Sequence, residues 1–186
     1  MKMSNNHDRF LKKILTISQL IILLFSCRKI NDPDVKTPPI PSIYINGSKV
    51  NLYHSNNFIR WSEKKVIITV GNGADSDSDG ILNTKSIVSQ LGSGDYAAYY
   101  CDTLTEHGFS DWYLPSYNEL QVIYNKMDSI NFEWYSNYYW SSTESHFGNA
   151  HADIDSVYAE SISMMNGKTL YNMKVEGYNV VCIRKD

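Results

Sequence analysis

Gly108-Phe-Ser-Asp-Trp-Tyr-Leu-Pro-Ser-Tyr-Asn-Glu-Leu120 is the stretch on which the reading of the fold turns. Its first half predicts an extended run, because the residue before Pro115 is held away from helical geometry. Its second half predicts a helix start. Ser116 and Glu119 have the spacing of a capping box, and Tyr117, Leu120, Tyr124 and Met127 fall on one face. An extended segment therefore feeds straight into an amphipathic helix.

Upstream, Ser42 to Tyr53 holds two short apolar runs around Asn46-Gly47, which predicts a hairpin on a type I′ turn. Val66-Ile-Ile-Thr-Val70 is β-branched and predicts a buried strand. Asn83 or Thr84 is expected to cap a helix running through Leu91. Asp95 is expected to cap a second helix reaching about His107, with Gly108 as its stop. That second helix places Ala97, Tyr100, Cys101 and Leu104 on one face, turning Cys101 inward. Downstream, strands are predicted over Tyr138–Ser142, Tyr158–Met165, Thr169–Val175 and Tyr178–Arg184, the middle two joined at Asn166-Gly167. In the last, Val180 and Cys182 face one way, Val181 and Ile183 the other. About three helices on a mostly antiparallel twisted sheet make an α+β layout.

Charge divides the chain. Residues 1–43 carry seven Lys/Arg and three Asp/Glu, net +4, while residues 44–186 carry ten and seventeen, net −7. An acidic domain argues against nucleic acid as a partner, since phosphate neutralisation needs a basic face. Lys2, Arg9, Lys12 and Lys13 precede the apolar run Ile14–Phe25, which is short for a membrane span and reads as a signal peptide. It ends in Leu24-Phe25-Ser26-Cys27, which resembles a bacterial lipobox. The expected organisation is a lipoprotein signal peptide over 1–26, lipidated Cys27 opening a Pro-rich spacer over 27–42, and one domain over 43–186. Several acyl chains on Cys27 would anchor it stably in a membrane. The expected place is the bacterial cell envelope, as an outer-membrane lipoprotein facing periplasm or exterior.

With Cys27 lipidated, Cys101 and Cys182 are left in an exported domain. One bridge between them is the natural pairing. Two free thiols, or a reactive thiol at Cys101, is the alternative reading.

Three segments in order, Gly108–Leu120, Tyr139-Trp-Ser-Ser-Thr-Glu144 and Val180-Val-Cys-Ile-Arg184, resemble the Lcl C-terminal domain family of bacterial surface modules. The resemblance covers roughly Tyr44 to Arg184 and implies a C-type-lectin-like fold. Leu114-Pro-Ser-Tyr-Asn-Glu119 and the terminal Val-Cys-Ile-Arg are also similar to segments of formylglycine-generating enzymes. Those enzymes need a neighbouring cysteine pair for copper. Cys101 and Cys182 lie 81 positions apart, and Cys182 matches a structural position, so that chemistry is not expected.

Asp75, Asp77 and Asp79 before Gly80 have the opening spacing of an EF-hand loop, and Asn83 could add an oxygen. The twelfth position is Ser86 rather than a bidentate Glu. The loop reads first as a solvated turn, with weak calcium binding as its functional alternative; no other cofactor is expected. Fourteen tyrosines and four tryptophans are many for this length and suit sugar rings. Trp112 and Trp140 read as core, while Tyr135, Tyr138, Glu144 and His146 are candidate ligand contacts around a polar stretch, Ser145–Ala152. Ser141-Ser142-Thr143 lacks the Gly-x-Ser-x-Gly turn of a nucleophile, and His54, His107, His146 and His151 lack zinc-site spacing. An enzyme is therefore disfavoured. The expected role is non-catalytic recognition of a glycan or another surface polymer, with a structural or protein-interaction subunit of an envelope complex next.

Overall fold

The Asn46-Gly47 turn forms as its residue types require. Both positions take positive φ, 49° and 82°, and join β1 (Ser42–Ile45) to β2 (Ser48–Arg60) in antiparallel register. The structure is a computed structural model describing residues 39–63, 73–130, 134, 138–144 and 157–186. The Val66–Val70 run lies outside the described residues, as do Cys27 and most of the spacer. Helices α1 (Gly80–Leu91), α2 (Ala97–Asp102) and α3 (Tyr117–Asn125) follow. Strands β3 (Tyr138–Glu144), β4 (Tyr158–Ser163), β5 (Thr169–Met173) and β6 (Gly177–Lys185) complete the chain. The sheet order is β1-β2-β6-β3-β4-β5, antiparallel except where β3 meets β6. The fold is α+β.

Strand β6 is the keel. It pairs with β2 along its length, and its predicted alternation is what splits the interior. Val180 and Cys182 enter one core with Trp61, Ile87, Ala97, Cys101, Trp112 and Trp140. Val181 and Ile183 enter a second, with Leu52, Tyr113, Leu120, Ile123 and Tyr139. The opening stretch works the same way, sending Trp112 and Leu114 to the first core and Tyr113 to the second. Tyr113 exchanges both backbone hydrogen bonds with Ile183, each 2.9 Å, so this segment runs beside β6 as a strand would. Trp61 and Trp140 are fully buried. Each burial of that size removes roughly 200 Å² from water, about 4–6 kcal/mol of hydrophobic stabilisation.

The capping box is present: Ser116 accepts from the Glu119 amide, and Glu119 accepts from the Ser116 amide. Cys101 and Cys182 are bridged across the first core, Cα to Cα 5.4 Å. Three local expectations are corrected. The cap of α1 is Asp79, accepting from Leu82 at 2.9 Å, because Asn83 and Thr84 are held by distant partners. Helix α2 stops at Asp102 with Thr103 as its C-cap, and His107 and Gly108, at φ of 54° and 81°, form a separate tight turn between Glu106 and Phe109. Its start has no side-chain cap, and the Asp95 amide donates to Glu63 instead. Finally, β2 runs past Tyr53 to Arg60, with an irregularity between Ser55 and Ile59.

Candidate functional site

The polar residues of the three sequence segments hold the fold together. Glu119, 3% exposed, takes hydrogen bonds from the Ser116 and Gly80 amides and from the Tyr113 hydroxyl. Burial and that carboxylate push the Tyr113 phenol well above its ordinary range. Thr84 donates to the Leu114 carbonyl and accepts its amide, clasping α1 to the extended segment. Asn83 donates to Ser76 and Ser142 and accepts from the Ser76 amide. Thr143 donates to the Ser76 carbonyl and accepts the Tyr117 amide, and Ser141 donates to the Glu160 carbonyl. These hydroxyls satisfy buried backbone groups, as buried polar atoms generally do.

Glu144 corrects the sequence reading. Its side chain is 2% exposed and forms an ion pair with Lys174, whose side chain is 0% exposed. The Lys174 ammonium also lies over the Trp61 ring, 4.8 Å from its centroid. Backbone bonds fix the pair: Glu144 donates to Ala74 at 2.6 Å, and Lys174 donates to Val157 and accepts from Ser62. A carboxylate so enclosed and neutralised is no ligand contact. Glu144 holds the end of β3 to the turn after β5.

Part of the acidic loop is also committed to structure. Asp79 caps α1, and the Asp77 carbonyl accepts the Asn118 amide at 2.8 Å. Asp75 lines an open depression along α1 with Ser86 and Ser89. Asn83 is fully buried and its amide oxygen accepts from Ser76, so it is not available as a fourth oxygen ligand. Among the described residues, no three His, Cys, Asp or Glu side chains gather closely enough to hold a metal ion.

Tyr138, a candidate ligand contact in the sequence, opens β3. It is half-buried on the first-core face, and its ring meets that of Tyr178 edge-on, 5.4 Å between centroids. Tyr178 in turn packs on buried Trp140 at 4.9 Å, so the surface ring is backed by core. Its hydroxyl donates to exposed Glu176 at 2.6 Å. Burial first, then that carboxylate, raises the Tyr178 phenol. The result is a ledge of two aromatic rings with a carboxylate at its edge. Such a surface offers ring faces to C–H groups and an acceptor to hydroxyls. Tyr178 and Glu176 were not singled out in the sequence, where Tyr178 only opens the last predicted strand and Glu176 falls just before it. The signal was Tyr178 in phase with Val180 and Cys182. What placed it beside Tyr138 is the parallel contact Tyr139 to Asn179, which local pattern does not reveal. Tyr135 and His146 lie outside the described residues.

The sequence pattern of the Lcl C-terminal domain matches residues 51–184, the span that holds the disulfide, the aromatic ledge and most of both cores. No curated protein matches the chain.

Proposed function

This chain belongs to the Lcl C-terminal domain family, and from that membership we propose a non-catalytic recognition module of the bacterial cell envelope, with a glycan or another surface polymer as ligand. The observation that carries the reading is the Tyr138–Tyr178 ledge with Glu176 at its rim. Sugars present alternating C–H faces and hydroxyl edges, and the ledge is complementary to both. The commitment of Glu144 and of the Ser141–Thr143 hydroxyls to structure supports binding over catalysis. The resemblance to C-type lectins points the same way. In this reading Cys27 carries the lipid, residues 27–42 are the spacer, and the module faces periplasm or exterior from the outer membrane.

A second reading, a protein-interaction subunit of an envelope complex, draws on Tyr44, Phe58 and Met165. They are 64%, 69% and 72% exposed, large apolar side chains left on the surface. One experiment separates the two. The full chain is screened against glycans and envelope polymers in calcium and again in EDTA, beside Tyr178→Ala and Glu176→Gln. Selective binding that Tyr178→Ala abolishes supports the glycan reading, and its response to EDTA reports whether calcium takes part. Binding untouched by both substitutions moves the ligand off the ledge. No binding to any polymer removes the glycan reading and favours the protein partner.

A further inference from the structure

A separate concavity of about 410 Å³ lies between α1, the end of α2 and the extended segment Ser110–Tyr113. Lys85 from α1 and Asp102 from the last position of α2 both line it. Among the described residues neither forms an ion pair, with the other or with anything else. A cation and an anion thus line one cleft with no ion pair between them, and Lys85 also borders the depression along α1. Lys185 adds a second ammonium. Its contact to Glu119 is long, 3.6 Å, and its side chain stays 42% exposed, leaving donors to spare. Asp111 also lines the cleft, but Arg184 grips it at 2.7 and 3.1 Å, which holds its carboxyl below the usual range. The charges left outside any ion pair are Lys85 and Asp102, with Lys185 only loosely held by Glu119. Half-buried Ile81 is the apolar side chain that reaches this lining, whereas Trp112 lines it from the first core with almost no exposed surface.

We propose that this cleft binds a small zwitterion, carboxylate to Lys85 and Lys185, ammonium to Asp102, with its compact body beside Ile81. Free amino acids and amino-sugar acids share that chemistry. The volume, within the usual range for small-ligand sites, admits either. A neutral glycan satisfies neither charge, so this site does not depend on the aromatic ledge. Each charge-assisted contact is strong enough that losing one should lower affinity at least tenfold.

The test is a titration of the full chain, in mild detergent, with L-alanine, D-alanine and muramic acid, followed by calorimetry and ligand-observed NMR. Each is run beside its N-acetyl and methyl-ester derivative. At least one zwitterion should bind. Acetylation should weaken it about tenfold or more in the wild type and have no further effect in Asp102→Asn. Esterification should do the same in relation to Lys85→Ala. If the amino acids bind and muramic acid does not, the source is an amino acid, and the converse assigns the amino-sugar acid. Failure of all three probes at millimolar concentration overturns the proposal. So does binding indifferent to acetylation and to both substitutions, or binding that moves with Tyr178→Ala instead. Lys85 and Asp102 are exposed, so both variants should keep wild-type melting, which the same samples can confirm.

Discussion

Replacing Lys174 by Met should cost about 3–5 kcal/mol, because it removes the enclosed ammonium that neutralises the buried Glu144 carboxylate. The loss of the Trp61 contact belongs within that figure and should not be added to it. Glu144→Gln, which takes the neutralising charge from the buried ammonium instead, should cost a similar amount. The informative variant is the double replacement, Lys174→Met with Glu144→Leu. Two well-packed apolar side chains avoid the desolvation penalty of both charges, so most of the lost stability should return. Urea unfolding with the disulfide intact is the assay. With a slope of about 2 kcal/mol per molar, a 4 kcal/mol loss moves the midpoint by about 2 M, well outside error. The reasoning fails if either single variant costs less than about 1 kcal/mol, or if the double variant loses the sum of the two singles.

Three further outcomes follow from the same geometry. A Cβ on Gly80 would stand 2.5 Å from the Glu119 carboxylate and 2.6 and 2.7 Å from the backbone of Leu114 and Ser116. Gly80→Ala should therefore destabilise by about 1–3 kcal/mol through overpacking, read as a lower Tm. Removing the bridge with Cys101→Ala and Cys182→Ala frees a loop with a sequence separation of 81. In the chain-entropy model that costs about 4–5 kcal/mol, and since both sulfurs are buried, dithiothreitol should reduce the wild type only once urea unfolds it. Burial, helped by Asp77, raises the Glu160 carboxyl to about 7. The folded state thus keeps a proton that the unfolded chain releases near pH ~4.3, so stability should fall as pH rises through that window. Glu160→Gln should raise Tm at pH 8 and leave it unchanged at pH 4; an equal shift at both values would refute the assignment.

Where the chemistry is local, the sequence was readable. Ser116 and Glu119 cap one helix three positions apart, Asn46-Gly47 turns within two residues, and the alternation of Val180 to Ile183 needs no knowledge of its neighbours. Where tertiary partners compete with local ones, it was not. Asn83 is a good cap by type, yet Ser76 and Ser142 hold it, and the cap falls to Asp79. Lys174 follows a strand at a turn, where a lysine is ordinarily solvated, yet it is wholly buried because Glu144 and Trp61 wait for it. The aromatic ledge is hidden for the same reason. Tyr138 and Tyr178 become neighbours only through the contact of β3 with β6, across roughly forty residues.

Strand β6 has a consequence for the order of events during synthesis. Residues 177–185 leave the ribosome after every element they pair with, yet they contribute to both interiors and carry one half of the disulfide. Until they arrive, β2 lacks its long partner and neither apolar cluster can close. The topology is thus rich in distant pairings and should fold slowly, in one late cooperative step rather than piece by piece. A nascent chain arrested before Gly177 would expose both clusters at once and be open to proteases and aggregation.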